Sequence, residues 1–96
     1  MKEWIRYLQD GFEIMVRIVT KNGKVEKFAV VLMHDGEDIT RFDNAHGVAH
    51  RDVLGRKNAF IRKEWYESMD TSEAFQYAIN DLSQNCHRYL AYYDAH

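Results

Sequence analysis

Two dipeptides constrain this chain more than anything else in it. Asn22-Gly23 and Asp35-Gly36 each stand between runs of strand-forming residues, and such pairs supply the two positive-φ residues of the tightest hairpin turns. Before the first, Phe12, Ile14, Val16 and Ile18 alternate with Glu13, Met15, Arg17 and Val19, a period of two with a β-branched bias. Between the turns, Lys24 to His34 returns as a second strand, apolar on both faces from Phe28 to Met33, the pattern of a central strand. After the second turn, Ile39 to Asp43 reads as a third strand. A local antiparallel meander follows.

If both loops hold two residues, the register follows too. Lys21 then faces Lys24, Val16 faces Ala29 and Arg17 faces Phe28. Across the next pair His34 faces Glu37, Val30 faces Arg41 and Phe28 faces Asp43. One sheet face carries Phe12, Ile14, Val16, Ile18, Ala29, Val31, Met33 and Phe42, a clean core face. The other carries Met15, Val19, Phe28, Val30, Leu32 and Ile39, with Arg17, Arg41 and Asp43 among them. Charges among apolar neighbours are costly unless paired, so this row is expected to be an ion-pair network or the floor of a site.

The flanks are less regular. Residues 1–10 fit either a helix face through Met1, Trp4, Ile5 and Leu8 or a strand turned back by Asp10-Gly11. Val48 to Leu54 and Ala59 to Tyr66 read as a second hairpin around Gly55. Asp70 and Glu73 have capping-box spacing, and Phe75, Ile79, Leu82, Cys86, Tyr89, Leu90 and Tyr93 form an apolar stripe over roughly five to six helical turns. The expected fold is α+β, one domain over residues 1–96, with a mainly antiparallel sheet of about five strands and a C-terminal helix packed on one face.

Composition narrows the setting. Ninety-six residues make one small core. No apolar run reaches spanning length, and Lys2, Glu3 and Arg6 interrupt the first apolar patch, which argues against a membrane span or a signal peptide. The single cysteine, Cys86, fits a reducing, cytoplasmic setting. With a formal net charge of -2, any nucleic-acid affinity must be local.

The polar chemistry concentrates between Phe42 and Lys63. Asp43, Asn44, His46, His50, Arg51 and Asp52 fall within a few residues, and Arg56, Lys57, Arg62 and Lys63 follow. Imidazole moves protons near neutral pH without a shifted pKa, so His46 and His50 can act as an acid/base pair, with Asp43 or Asp52 fixing a tautomer. Arg17, Arg41 or Arg51 can hold a phosphate or a developing phosphorane charge. The histidines can equally serve the loop backbone as hydrogen-bonding groups. Asp43, His46, His50 and Asp52 also match zinc or manganese in ligand type. The basic set with Arg56 and Lys57 can contact phosphates or can be a solvated hairpin edge, and Phe60, Trp65 and Tyr66 can cover the sheet or stack on bases. Tyr77, Tyr89, Tyr92 and Tyr93 make the helix tyrosine-rich, which fits snorkelling core residues, a partner contact or a homodimer.

The run Thr40-Arg41-Phe42-Asp43-Asn44-Ala45-His46, continuing to His50, resembles the TumE-like toxin family of bacterial toxin–antitoxin modules. There a strand ends in an aromatic-Asp-Asn-Ala-like run followed by histidines, a strand pair and a C-terminal helix. The match covers the chain in element order and this stretch in residues; the histidine and proline cluster of the family is replaced here by Arg51-Asp52. The resemblance implies a small cytoplasmic α+β protein with ribonuclease-type toxicity and an antitoxin partner, and it marks Arg41, Asp43, His46 and His50. The resulting expectation is a metal-independent endoribonuclease without cofactor. His46 and His50 are the acid/base pair, Asp43 orients one of them, and Arg17, Arg41, Arg51, Arg56 and Lys57 bind RNA. Two alternatives stand beside it: a non-catalytic protein- or nucleic-acid-interaction module, and a metal-binding protein using the Asp/His cluster.

Overall fold

The computed structural model describes residues 1–45, 47–56 and 59–96. Six strands, β1 (Lys2–Tyr7), β2 (Phe12–Lys21), β3 (Lys24–His34), β4 (Glu37–Asp43), β5 (His50–Gly55) and β6 (Ala59–Trp65), form one sheet in sequence order. Every neighbouring pair is antiparallel. Two helices follow, α1 (Thr71–Gln84) and α2 (Cys86–Ala95).

The N-terminal segment is a strand. Asp10 and Gly11 both take positive φ, 58° and 79°, and turn β1 onto β2 with Glu3 beside Arg17 and Trp4 beside Val16. As an edge strand β1 is exposed along its whole length. The dipeptides Asn22-Gly23 and Asp35-Gly36 repeat the same positive-φ pattern at the next two turns.

The register departs from the two-residue-loop prediction in one strand. Lys21 faces Lys24 as expected, but a bulge at Glu26 shifts β3 by one residue, so Val16 faces Val30 and Arg17 faces Ala29. A one-residue slip moves every side chain of a strand to the other face. The core therefore takes Phe28, Val30 and Leu32 in place of Ala29, Val31 and Met33. A second bulge at Ile39 corrects the slip before β4, where Ala29 faces Asp43 and Val31 faces Arg41. The two shifts cancel. Arg17, Arg41 and Asp43 thus share a face as predicted.

The C-terminal stripe is two helices, not one. Asp70 caps α1, its carboxylate accepting from the Glu73 N–H at 2.8 Å. Asn85 ends it: its backbone leaves helical geometry, and its side-chain amide donates to the Asp81 carboxylate at 2.9 Å. Its backbone N–H still donates to the Asp81 carbonyl at 2.9 Å, the last bond of α1. Both helices lie on the face bearing Phe12, Ile14, Val16, Phe28, Val30, Leu32 and Phe42. Ala74, Phe75, Ala78, Ile79, Leu82, Cys86 and Tyr93 complete the core there, with the rings of Phe28 and Phe75 5.7 Å apart. Among the described residues nothing covers the opposite face.

Candidate functional site

Antiparallel pairing of β4 with β5 builds the polar centre. Asp43 stands beside His50 and Arg41 beside Asp52; in the next pair His50 stands beside Trp65 and Asp52 beside Lys63. All six side chains project from the uncovered face, yet Asp43, His50 and Asp52 are 7%, 1% and 4% exposed. Their longer neighbours close over them, with the Trp65 ring 5.2 Å from the His50 ring.

Each buried group is answered by a partner. The Nε2 of His50 lies 3.0 Å from Asp43 Oδ1 and its Nδ1 lies 3.1 Å from the Val48 carbonyl. Both partners, a carboxylate and a carbonyl oxygen, are acceptors. Arg41 bridges the carboxylates, with Nε 3.1 Å from Asp43 and Nη2 2.9 Å from Asp52. Lys63 donates to the other Asp52 oxygen at 2.8 Å, and the Ala45 N–H donates to Asp43 at 3.0 Å. Burial pushes the Asp52 carboxyl up, but the hydrogen bonds and charges of Lys63 and Arg41 outweigh it and hold it below the usual range. Arg41 and Asp43 of this row are thus paired within a network with His50, Asp52 and Lys63, whereas Arg17 pairs with Glu3.

The loop after β4 is tied down by Asn44. Its amide oxygen accepts from the Phe28 N–H at 3.0 Å and its amide nitrogen donates to the Glu26 carbonyl at 3.0 Å. The side chain thereby satisfies two β3 backbone groups that lie beyond the last β3–β4 pair, Ala29 with Asp43.

Arg51 does not join this cluster. It stands beside Phe42 on the helix face, where Nε and Nη2 donate to Glu64 at 3.2 and 2.8 Å and Nη1 donates to the Thr40 hydroxyl at 2.8 Å. Its guanidinium lies 4.6 Å from the Tyr89 ring centre. Burial raises the Glu64 carboxyl, but Arg51 and then Arg62 outweigh it and hold it below the ordinary glutamate value. The alternation of β6 could have identified Glu64, since it faces Arg51 once the hairpin is centred past Gly55. Gly55 itself closes β5 rather than forming the turn.

The predicted set is therefore divided. Arg41, Asp43 and His50 come together, and Arg17 lines a cavity of about 320 Å³ with Lys27, Arg41 and Asp43. Arg17 also pairs with Glu3 at 2.8 Å. Arg56 is exposed beyond β5. His46 and Lys57 lie outside the described residues.

Asp43, His50 and Asp52 offer ligand atoms within 4.8 Å of one another, the composition of a metal site. Their carboxylate oxygens, however, already hold Arg41, Lys63, the Ala45 N–H and His50. A divalent ion would have to displace two protein cations. The donor set fits its own cations better than a metal.

A family model described as a domain of unknown function, DUF7718, matches residues 1–96. No curated protein and no solved structure matches the chain.

Proposed function

The chain belongs to the DUF7718 family, and we propose that it is a non-catalytic interaction module that binds single-stranded RNA on its uncovered sheet face. One observation carries this reading: Phe60 and Trp65, 58% and 50% exposed, share that face with Arg17, Arg41 and Lys63. Exposed aromatic rings at strand positions can stack on bases, and cations between them can meet phosphates. Lys63 sits 5.4 Å from the Phe60 ring centre, so the two kinds of contact adjoin. The Asp43–His50–Asp52 cluster beneath is then the support that holds Arg41 and Lys63 at the surface. A histidine 1% exposed, with both ring nitrogens near acceptors, is better suited to that role than to proton transfer with a substrate.

The test is fluorescence anisotropy of a labelled single-stranded RNA titrated with the full chain. Binding should weaken steeply with salt, and Trp65→Ala should weaken it by about tenfold, the size of one lost stacking contact. Absence of binding at low salt sinks the reading.

A second reading keeps the same face but makes it catalytic, as a toxin-like metal-independent endoribonuclease restrained by an antitoxin protein. The cavity lined by Arg17, Lys27, Arg41 and Asp43 favours it, because it extends to Ala45, next to His46 in the chain. RNA cleavage in the presence of chelator, lost in His46→Ala, distinguishes this from binding alone.

A further inference from the structure

We propose that the cleft between β6 and α2, on the helix face, is a binding site for a small phosphate dianion. The cleft is separate from the proposed RNA surface. Arg51, Arg62, Arg88, Glu64, Tyr89 and Tyr92 line a cavity of about 310 Å³ there, a size at the low end for small-ligand pockets.

The charges do not balance within it. Glu64 accepts from Arg51 at 2.8 Å and from Arg62 at 3.0 Å, so one carboxylate answers two guanidiniums. Arg88 adds a third, lying over the Tyr89 ring at 5.2 Å. Asp81, which accepts from the Tyr89 hydroxyl, is not among the lining residues. Among the lining side chains three guanidiniums face one carboxylate, with Asp81 set behind Tyr89, and a phosphate would offset this excess of positive charge. Planar guanidiniums bind tetrahedral oxyanions through several N–H groups at once.

The cleft is also built before any ligand arrives. Arg51 is 8% exposed and is fixed by Thr40, Glu64 and the Tyr89 face. Arg62 is held by Glu64 and by the Tyr92 hydroxyl at 3.1 Å. Donors that are already placed lose little freedom on binding. Arg88 is exposed at the mouth and can swing onto an incoming anion. The volume suits a phosphate or a phosphomonoester with one small ring.

The experiment measures thermal stability of the full chain with inorganic phosphate, phenyl phosphate or sodium chloride at matched ionic strength. A ligand that binds the folded state raises Tm with concentration, so one or both phosphates should raise it beyond chloride. Tighter binding of phenyl phosphate identifies an esterified ligand; equal or tighter binding of inorganic phosphate identifies the free anion. Arg88→Ala should keep the unliganded Tm and weaken phosphate binding by about tenfold or more, the loss expected for one charge-assisted contact. Arg62→Ala should weaken it similarly, whereas Trp65→Ala should not change it. The proposal is overturned if neither phosphate exceeds chloride, or if Arg88→Ala and Arg62→Ala both bind phosphate as the wild type does.

Discussion

Arg51 and Asp52 are neighbours in sequence whose side chains stand on opposite faces of the sheet, and each anchors a different charge cluster. Asp52 joins Arg41 and Lys63 on the uncovered face, while Arg51 joins Glu64 and Thr40 under α2. The two clusters share one further link, because the Thr40 hydroxyl that accepts from Arg51 donates to the Asp52 carbonyl at 2.8 Å. β5 therefore carries charge through the sheet.

Asp52→Asn should destabilise the protein by about 2 kcal/mol, less than for a fully buried pair because Arg41 and Lys63 are partly in water. Urea denaturation at neutral pH measures it. Adding Lys63→Met to that variant should recover part of the loss, since the stranded cation is then gone. An unchanged urea midpoint in Asp52→Asn rules the network out as a source of stability.

His50→Ala removes a ring that fills space between Asp43 and Trp65 and leaves the Asp43 carboxylate short of one donor. A loss of about 2–3 kcal/mol is expected from the cavity and the unmatched group together. Thermal unfolding should show a clear drop in Tm. A variant with wild-type stability but altered RNA processing would return this histidine to the catalytic reading.

Asp52 and Glu64 should both contribute to the acid limb of stability. Both carboxyls sit below their ordinary values in the folded protein, so their stabilisation is fully present above the unfolded carboxylate range, about pH 4. It is lost as pH falls through the folded values, because protons then bind the unfolded chain more readily. Unfolding free energy measured from pH 7 to pH 2 should fall in that window, and Glu64→Gln should flatten the slope.

Asn44→Ala should cost about 2 kcal/mol, since it strands the Phe28 N–H and the Glu26 carbonyl at the β3 bulge. Asn44→Asp keeps the acceptor for the Phe28 N–H but sets a carboxylate oxygen against the Glu26 carbonyl, so it should not recover the loss. Hydrogen exchange at Phe28 reads the effect locally, and unchanged protection there in Asn44→Ala counts against the role.

Zinc or manganese should leave Tm unchanged at micromolar concentration, because Arg41 and Lys63 already occupy the carboxylate oxygens. A saturable rise in Tm abolished by Asp43→Asn would restore the metal reading.

Much of the fold was legible because its turns are written in short-range chemistry. Asn22-Gly23 and Asp35-Gly36 announce their conformation in two residues, and Asp70 announces the start of α1. The sixth strand is β1, left open between helix and strand because Trp4, Ile5 and Leu8 satisfy either period. The bulges at Glu26 and Ile39 carried no comparable signal. Neither is marked by a glycine or another turn residue. The face of β3 was therefore misread, while the row Arg17, Arg41 and Asp43 survived because the shifts cancel. For the site, the pairing of Asp43 with His50 follows from strand order, but the face of Arg51 required the β4–β5 register. Proximity in sequence had grouped what the pleat separates.

The sequence-order sheet also has a consequence for how the molecule is assembled. Each strand finds its partner across a short connection, so closing any one hairpin costs little chain entropy, and no step waits for a distant segment before β6 is in place. Chains with such local pairings reach their folded state quickly for a β-rich topology, and this one contains no proline whose isomerisation could impose a slow phase. The apolar face is covered only by α1 and α2, the last elements of the chain in sequence. Until they dock that face is bare, and the interval is the one in which a nascent chain is open to capture by its neighbours.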